Sequence, residues 1–466
     1  MPFMKRRSRM IRVAETMDAA NGASRSPGGA DTANCNPFDV AATKPRIAHV
    51  VTTFYPGMAW SRTFHLAEDQ VRQGWDVEFV TGCNASSGLL QQTRERGFPV
   101  TQIPSLTKYV HPLLDLKALF QLFRFFRNRR FNIVHTHLAK AGIIGRAAAR
   151  MAGVPHIFHT VYGPTFAPTL KPFNRFTFLS LEKLAGKVTD KFIFVGQDLR
   201  LRYLRAGVCN PHNSRVIYGG RRLGPFIRAA SLPEATRGAG KKTLGIDPET
   251  PLITYVARIV PSKGHLHAVR AFHQVKTDHV TAKLIFVGEA RLPSEQSFKH
   301  QLIEEIRQLG LQDDVMFTGW VDNPAHYYGI SDILIFPSLY EGLPGAVIEA
   351  RAADLAIVAF DCGGVKEILG PDFPLARVGD TSTLAAMLTD RIAHLPENRK
   401  QRGSKMQELT AFAKTFSIKR MVEETRDLYQ MEISNRCCSA AASFTCAAGI
   451  LRSAHGQQVV RATRIT

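Results

Sequence analysis

No stretch of this 466-residue chain approaches the ~20 consecutive apolar residues that a membrane-spanning helix needs. Met1–Val13 is basic, but no apolar segment follows it, so a secretory leader is not expected. Cysteine is sparse: Cys35, Cys83, Cys209, Cys362, Cys437, Cys438 and Cys446 form no C-x-x-C pair. That scatter argues against a structural zinc site and a disulfide framework, and it fits a reducing cytoplasm. Acidic residues are in deficit, 39 against 60 Lys and Arg, for a formal net charge of +21. The deficit is uneven. Residues 45–220 carry 23 basic and 9 acidic groups, whereas 221–432 carry 26 of each. A one-sided excess points to an anionic partner for the first half, a membrane surface or a nucleic acid.

What is present is the composition of a globular protein, 45% hydrophobic and 21% charged, long enough for two domains with full cores. Residues 1–44 are rich in Ala, Ser, Gly, Asn and Asp without apolar periodicity, as expected of a disordered extension. From Arg46 short apolar runs alternate with helix-period segments: Arg46–Val51, Val77–Val80, Asn132–His135, His156–Phe158 and Lys191–Val195. A Gly/Arg/Pro stretch, Gly219–Gly240, interrupts the rhythm and reads as a linker. The alternation restarts with Leu252–Val256, Lys283–Gly288, Val315–Phe317, Ile333–Phe336 and Ala356–Ala359. The expected fold class is α/β: two doubly wound, Rossmann-like parallel-sheet domains over 45–220 and 241–415, joined by 221–240. A helix at 416–432 is placed to cross back to the first domain, and 433–466 reads as a disordered tail. Such sheets bind ligands beyond the carboxyl ends of their strands, so two facing sheets put the ligand in the cleft between them.

Several segments combine chemistry-bearing residues with these strand ends. Val256-Ala257-Arg258-Ile259-Val260-Pro261-Ser262-Lys263-Gly264 is a strand followed by a cationic loop. Phe317-Thr318-Gly319-Trp320-Val321 closes another strand. Tyr340-Glu341-Gly342-Leu343-Pro344 leads into Ile348-Glu349-Ala350, and Asp361-Cys362-Gly363-Gly364-Val365-Lys366-Glu367 follows the next strand. The first half contains Val134-His135-Thr136-His137-Leu138-Ala139-Lys140-Ala141-Gly142. In this order they resemble glycosyltransferase family 4, retaining enzymes of the GT-B fold, through its V-G-R-x-x-x-x-K-G, F-x-G-x-V, E-x7-E and D-x-G-G-x-x-E patterns. The first-half segment is similar to the form common among polysaccharide and lipid-linked oligosaccharide members. The resemblance spans about residues 46–430.

The residue types suit that chemistry. Arg258 offers a planar bidentate fork and Lys263 a mobile point charge, two complementary ways to hold phosphate oxygens. A helix opening after Pro344 would present free N–H groups and the positive end of its dipole. Gly345 and Ala346 would let a ligand approach that backbone. The resemblance implies that Gly57, Gly342 and Leu343 also border the donor, that Glu341 contacts its hexose, and that Glu349 hydrogen-bonds the nucleotide ribose. It places His137 near the donor sugar, with His135 as the competing candidate. The blander readings are a solvated cationic loop, two carboxylates that merely favour a helix start, and packed histidines.

The sequence also departs from the family pattern. The usual N-G-[IV]-D at the domain junction is Gly219-Gly220-Arg221-Arg222, and the usual glycine-paired first loop retains only Gly57. The resemblance implies a hexosyltransferase using a nucleotide-diphosphate sugar, UDP- or GDP-linked, with no cofactor and no metal, since no D-x-D-type acidic pair is placed for one. Its saccharide acceptor would be lipid-linked, for cell-surface polysaccharide or glycolipid synthesis. A sugar-nucleotide epimerase of the same fold is the alternative. Nothing resembles a groove-reading or base-stacking module, so the basic half is expected to meet an anionic membrane surface rather than nucleic acid. The enzyme would then be cytoplasmic and peripheral on the inner face of the membrane. Between Lys117 and Phe131, helical spacing puts Leu119, Phe120, Phe123 and Phe126 on one side and Lys117, Arg124 and Arg127 partly apart from them. Lys171-Pro172-Phe173-Asn174-Arg175-Phe176 repeats the mixture.

Overall fold

The computed structural model describes residues 44–435, apart from 56, 84, 168–169 and 278–280. The extensions at 1–44 and 433–466 therefore lie, except for Lys44 and 433–435, outside the described residues.

The first sheet contains β1 (Arg46–Val51), β2 (Asp76–Gly82), β3 (Val100–Ile103), β4 (Ile133–His137), β5 (His156–Val161), β6 (Lys191–Phe194) and β7 (Ser214–Val216). Its order is β3-β2-β1-β4-β5-β6-β7. The second contains β8 (Leu252–Val256), β9 (Lys283–Val287), β10 (Val315–Gly319), β11 (Ile333–Phe336) and β12 (Ala356–Ala359), in the order β10-β9-β8-β11-β12. All pairings are parallel. Helical crossovers cover both faces, which is why the central strands are almost entirely buried and read as apolar runs. In each sheet the strand order reverses at one point, between β1 and β4 and between β8 and β11. These are the switch points where α/β sheets open a crevice.

Two expectations need correction. The strand read as ending near His135 runs on through His137. Residues two apart share a face of a strand, and the rings of His135 and His137 stack with centroids 4.1 Å apart. The stretch read as a linker is helical over Gly224–Ala230 and Glu234–Lys242. Phe226, Ala229 and Ala230 are buried there, and Gly240 lies so close to Ile330 that a Cβ would fall 2.4 Å from its Cγ2. Packing, not chain flexibility, decides that segment's structure.

A last helix, residues 418–435, returns to the first sheet. Its Met421, Val422, Leu428 and Tyr429 join Ile47, Trp75, Phe79 and Phe158 in one core cluster, and Arg426 pairs with Asp69 at 3.3 Å. The two halves also meet at the cleft. Glu367, from the second half, accepts from the Gln197 and Asp198 backbone N–H groups at 2.7 and 2.6 Å, capping the first-half helix Gln197–Arg205. Replacing a helix cap by alanine costs about 1 kcal/mol, which in a unit of ~200 residues corresponds to about 2–4 °C in Tm. Glu367→Ala is expected to lower the thermal midpoint by roughly that amount, and Glu367→Gln by less, in a calorimetric scan.

Candidate active site

A cavity of about 540 Å³ lies where the two switch points face each other. From the first half it is bordered by Thr53, Tyr55 and Gly57 after β1, Leu138 after β4 and Tyr162 after β5. From the second come Ala257, Arg258 and Lys263 after β8, and the 341–346 segment after β11. Among the predicted residues, Gly57, Arg258, Lys263, Glu341, Gly342, Leu343, Gly345 and Ala346 line it; Glu349 and His137 do not.

The local backbone explains how the loops reach this point. Lys263 ends a single 3₁₀ turn, and Gly264 after it has φ 69°. A Cβ at Gly264 would fall 1.9 Å from the Pro337 carbonyl oxygen, so only glycine lets the lysine loop pack on the strand that delivers Glu341. The Tyr255 hydroxyl donates to the Lys263 carbonyl at 2.6 Å and fixes the turn from beneath. The helix Gly345–Ala352 begins after Pro344 with no side chain capping it, and its first residues, Gly345 and Ala346, line the cavity.

Each cation of the cavity is held by a carboxylate. Lys263 pairs with Glu341, whose same oxygen accepts from the Ser338 hydroxyl at 2.8 Å. Arg258 sits 3.4 Å from Glu295 and remains about half exposed. A third cation is Arg221, which pairs with Glu349. Its guanidinium lies against Gly345, where a Cβ would overlap its Nη2. Helix starts repel cations, and the Arg221 Nε is buried with no hydrogen-bond partner among the described residues. A guanidinium placed there is relieved by an incoming anion. Glu349 meanwhile also accepts from the Tyr328 hydroxyl at 3.2 Å, so both its oxygens are engaged by protein groups. It stands behind Arg221 rather than on the cavity wall.

His137 is likewise one layer back. It is fully buried, and its Nδ1 lies 3.1 Å from the hydroxyl of Tyr162, a residue that does line the cavity. Burial, with His49 and Arg62 close by, holds its imidazole well below its ordinary pKa; burial does the same for His135 and brings His49 down to about 4. All three are neutral at physiological pH. Sequence reasoning missed Tyr162 and Arg221. Tyr162 carried no motif signal, whereas the departure at Gly219-Gly220-Arg221-Arg222 was the available sign of Arg221.

A two-domain α/β protein with cations and a free helix start converging on an interdomain cavity has the architecture of a GT-B glycosyltransferase. Residues 57–220 match the family model described as "Glycosyl transferase 4-like domain" and residues 237–410 that described as "Glycosyl transferases group 1". The chain belongs to glycosyltransferase family 4. It is 25% identical over 407 residues to the UDP-Gal:alpha-D-GlcNAc-diphosphoundecaprenol alpha-1,3-galactosyltransferase of Escherichia coli, covering 84% of this chain and 99% of that one. It is 27% identical to the N,N'-diacetylbacillosaminyl-diphospho-undecaprenol alpha-1,3-N-acetylgalactosaminyltransferase of Campylobacter jejuni over 60% of this chain and 72% of that one. Similar folds are Anabaena Alr3699/HepE in complex with UDP, with TM-score 0.67, 18% identity and coverage of 83% and 100%, and the Thermosynechococcus elongatus sucrose-phosphate synthase, with 0.68, 20% and coverage of 84% and 100%.

Removing one charge-assisted contact costs about 1.5–3 kcal/mol, or roughly ten- to a hundredfold in affinity. Arg221→Gln, Arg258→Ala and Lys263→Ala are each expected to weaken binding of UDP or GDP by that factor in calorimetric titration. Their circular dichroism should match the parent protein's.

Proposed function

We propose that this protein is a retaining hexosyltransferase that moves a sugar from a UDP- or GDP-hexose to a lipid-linked saccharide, in cell-surface polysaccharide or glycolipid synthesis. The observation that carries this reading is the convergence of Arg221, Arg258, Lys263 and the start of the helix Gly345–Ala352 on one cavity between the switch points. Such a group of donors fits a diphosphate, whose charge grows as the glycosidic bond breaks. Glu341 is tied to Lys263 and Ser338, which suits contact with a sugar hydroxyl better than covalent attack. Retention then proceeds by front-face displacement, with the departing diphosphate helping to deprotonate the acceptor hydroxyl. Three cations already facing the leaving group make a divalent metal unnecessary in this scheme. Glu349 fits the ribose once Arg221 turns from it to the phosphates. An epimerase would share the fold, but the matched family is one of transferases. The lipid-diphosphate acceptors named for the relatives support a similar acceptor here.

The test is a screen of UDP- and GDP-hexoses for nucleoside diphosphate release with an isoprenoid-diphosphate-linked saccharide as acceptor. One donor is expected to stand out, its release to be unchanged by EDTA, and the product to keep the donor's anomeric configuration by NMR. An epimerised donor without nucleoside diphosphate release would reverse the reading.

Among the described residues no helix is long and apolar enough to cross a membrane, and in this reading a membrane-bound acceptor is met through a docking surface. The helix Pro112–Arg129 corrects one expectation: Phe126 is core, with Ala118 and Leu122, and Leu119 and Phe123 are only half exposed. Its outward face still presents Leu113, Leu116 and Phe120 with Lys117, Arg124 and Arg127. The helix Pro172–Gly186 adds Phe173 (78% exposed) and Phe176 beside Lys171 and Arg175. The helix Ala139–Met151 lies between and packs against both. Apolar side chains ringed by cations suit an anionic bilayer surface, at about 1 kcal/mol per basic group. The protein is expected to float with vesicles rich in anionic lipid at low salt. Arg124→Gln with Arg127→Gln should weaken this about tenfold or more, and Phe173→Ser with Phe176→Ser should abolish what remains at high salt.

A further inference from the structure

A chain of buried hydrogen bonds runs from the helix Met58–Arg72 through β1 and β4 to the cavity wall. Gln70 Oε1 lies 2.8 Å from His49 Nε2, His49 Nδ1 lies 3.1 Å from His137 Nε2, and His137 Nδ1 lies 3.1 Å from the Tyr162 hydroxyl. Gln70, His49 and His137 are all buried, and only Tyr162 borders the cavity. With His135, the two histidines form a cluster whose ligand atoms come within 4.8 Å of one another, a spacing that could hold a metal ion. Every ring nitrogen of the three is nevertheless engaged, His135 by the Tyr429 hydroxyl and, at 2.8 Å, by Thr160 Oγ1. The arrangement is a relay of hydrogen bonds.

The relay has a direction. An amide oxygen only accepts, so His49 carries its proton on Nε2. A neutral imidazole has one N–H, which leaves His49 Nδ1 to accept from His137 Nε2–H. His137 Nδ1 must then accept, and Tyr162 donates its O–H inward. With its O–H turned inward and the Thr63 hydroxyl beside it, the Tyr162 oxygen has only accepting capacity left for the cavity. Burial supports this by keeping both imidazoles neutral and by raising the phenol to about 12, so that it stays protonated. The ring is also pinned at its backbone, since a Cβ on Gly342 would fall 2.1 Å from the Tyr162 carbonyl oxygen.

We propose that Tyr162 meets a sugar hydroxyl in the cavity as a hydrogen-bond acceptor, and that His137 and His49 are positioning residues that fix the direction of its O–H. The proposal rests on the glycosyl-transfer reading and assigns the histidine motif an indirect role. The hydroxyl belongs either to the transferred sugar or to the acceptor, and two reactions separate these sources. If it belongs to the donor sugar, Tyr162→Phe slows both transfer and acceptor-free donor hydrolysis at least tenfold; if to the acceptor, only transfer slows.

A purely structural role for the histidine is separated by a double-mutant comparison. His137→Gln should cost at least tenfold in kcat/KM in the parent protein but less than twofold in the Tyr162→Phe background. Should His137→Gln fail to fold, long-range ¹⁵N–¹H spectra of the intact protein provide the readout, with both His49 and His137 expected to be protonated on Nε2. Parent-like activity of Tyr162→Phe, an undiminished His137→Gln penalty in the double variant, or His137 protonated on Nδ1 would each overturn the proposal. Absence of nucleoside diphosphate release from every sugar nucleotide with the parent protein would instead overturn the glycosyl-transfer reading and with it the sugar as ligand, while the spectra would still judge the relay.

Discussion

The site depends on one close approach, that of the Glu341–Pro344 loop to the backbone at Tyr162. Gly342 lies against the Tyr162 carbonyl, and Gly363 and Gly364 lie against the carbonyls of Glu341 and Gly342. Gly342 thus leaves no side chain between the two halves where the loop passes, and Gly363 lets the next loop pack on it from behind. A Cβ at either position would push against backbone, which flexible side chains cannot absorb. Glu367, three residues beyond Gly364, caps a helix of the opposite half. The Glu341–Pro344 loop lines the cavity, and the segment packed behind it joins the domains. Positioning of Glu341 and the approach of the two halves are a single packing problem.

The electrostatics follow from that geometry. Lys263, Arg221 and Arg258 are brought together before any ligand arrives, in a partly buried region where like charges repel. Glu341, Glu349 and Glu295 offset them, one carboxylate per cation. These pairs are exchangeable. An anion entering the cavity competes for cations that are already oriented, so little reorganisation is left for the reaction itself. The Arg221 pair is the most conditional of the three, because its guanidinium faces a helix start that favours negative charge.

Most of the fold was legible because buried parallel strands are written as continuous apolar runs. The strands that were not legible are informative. Val100–Ile103 and Ser214–Val216 are edge strands, short and partly polar, and need little apolar surface. The strand Ile133–His137 is fully buried yet ends His135-Thr136-His137, so hydrophobicity signals its end too early. Those polar side chains are tolerated because Tyr429 and Thr160 satisfy His135, His159 satisfies Thr136, and His49 and Tyr162 satisfy His137, partners 23 to 294 residues away that no local pattern announces. The cavity's cationic loop was legible from residue type and strand-end position. Glu349 and His137 were recognisable as special, but their place one layer behind Arg221 and Tyr162 is a property of packing depth, which spacing along the chain does not encode.

The basic excess of the first half shows the same limit in another form. A formal charge count treats all its cations alike, yet Arg62 and Arg146 are fully buried. Arg146 is neutralised by Glu182 at 2.6 Å, while Arg62 donates to the Ile217 carbonyl at 3.0 Å near Tyr162 and Tyr429. These two belong to the interior of the fold and are not presented on its surface. The excess that matters to a surface is the part on Pro112–Arg129 and Pro172–Gly186, where cations alternate with exposed aromatic and aliphatic side chains. On the first of these helices Phe126 is core while Phe120, six residues earlier, faces outward, so a single amphipathic pattern serves two interfaces. Its inner line, Ala118, Leu122 and Phe126, is small toward one end and large toward the other, and it seats the helix on the sheet. Once that inner line is satisfied, Leu113, Leu116 and Phe120 remain half or more exposed. Leaving them exposed costs solubility that the neighbouring cations offset, and it is on this guarded apolar surface that the proposed bilayer contact rests.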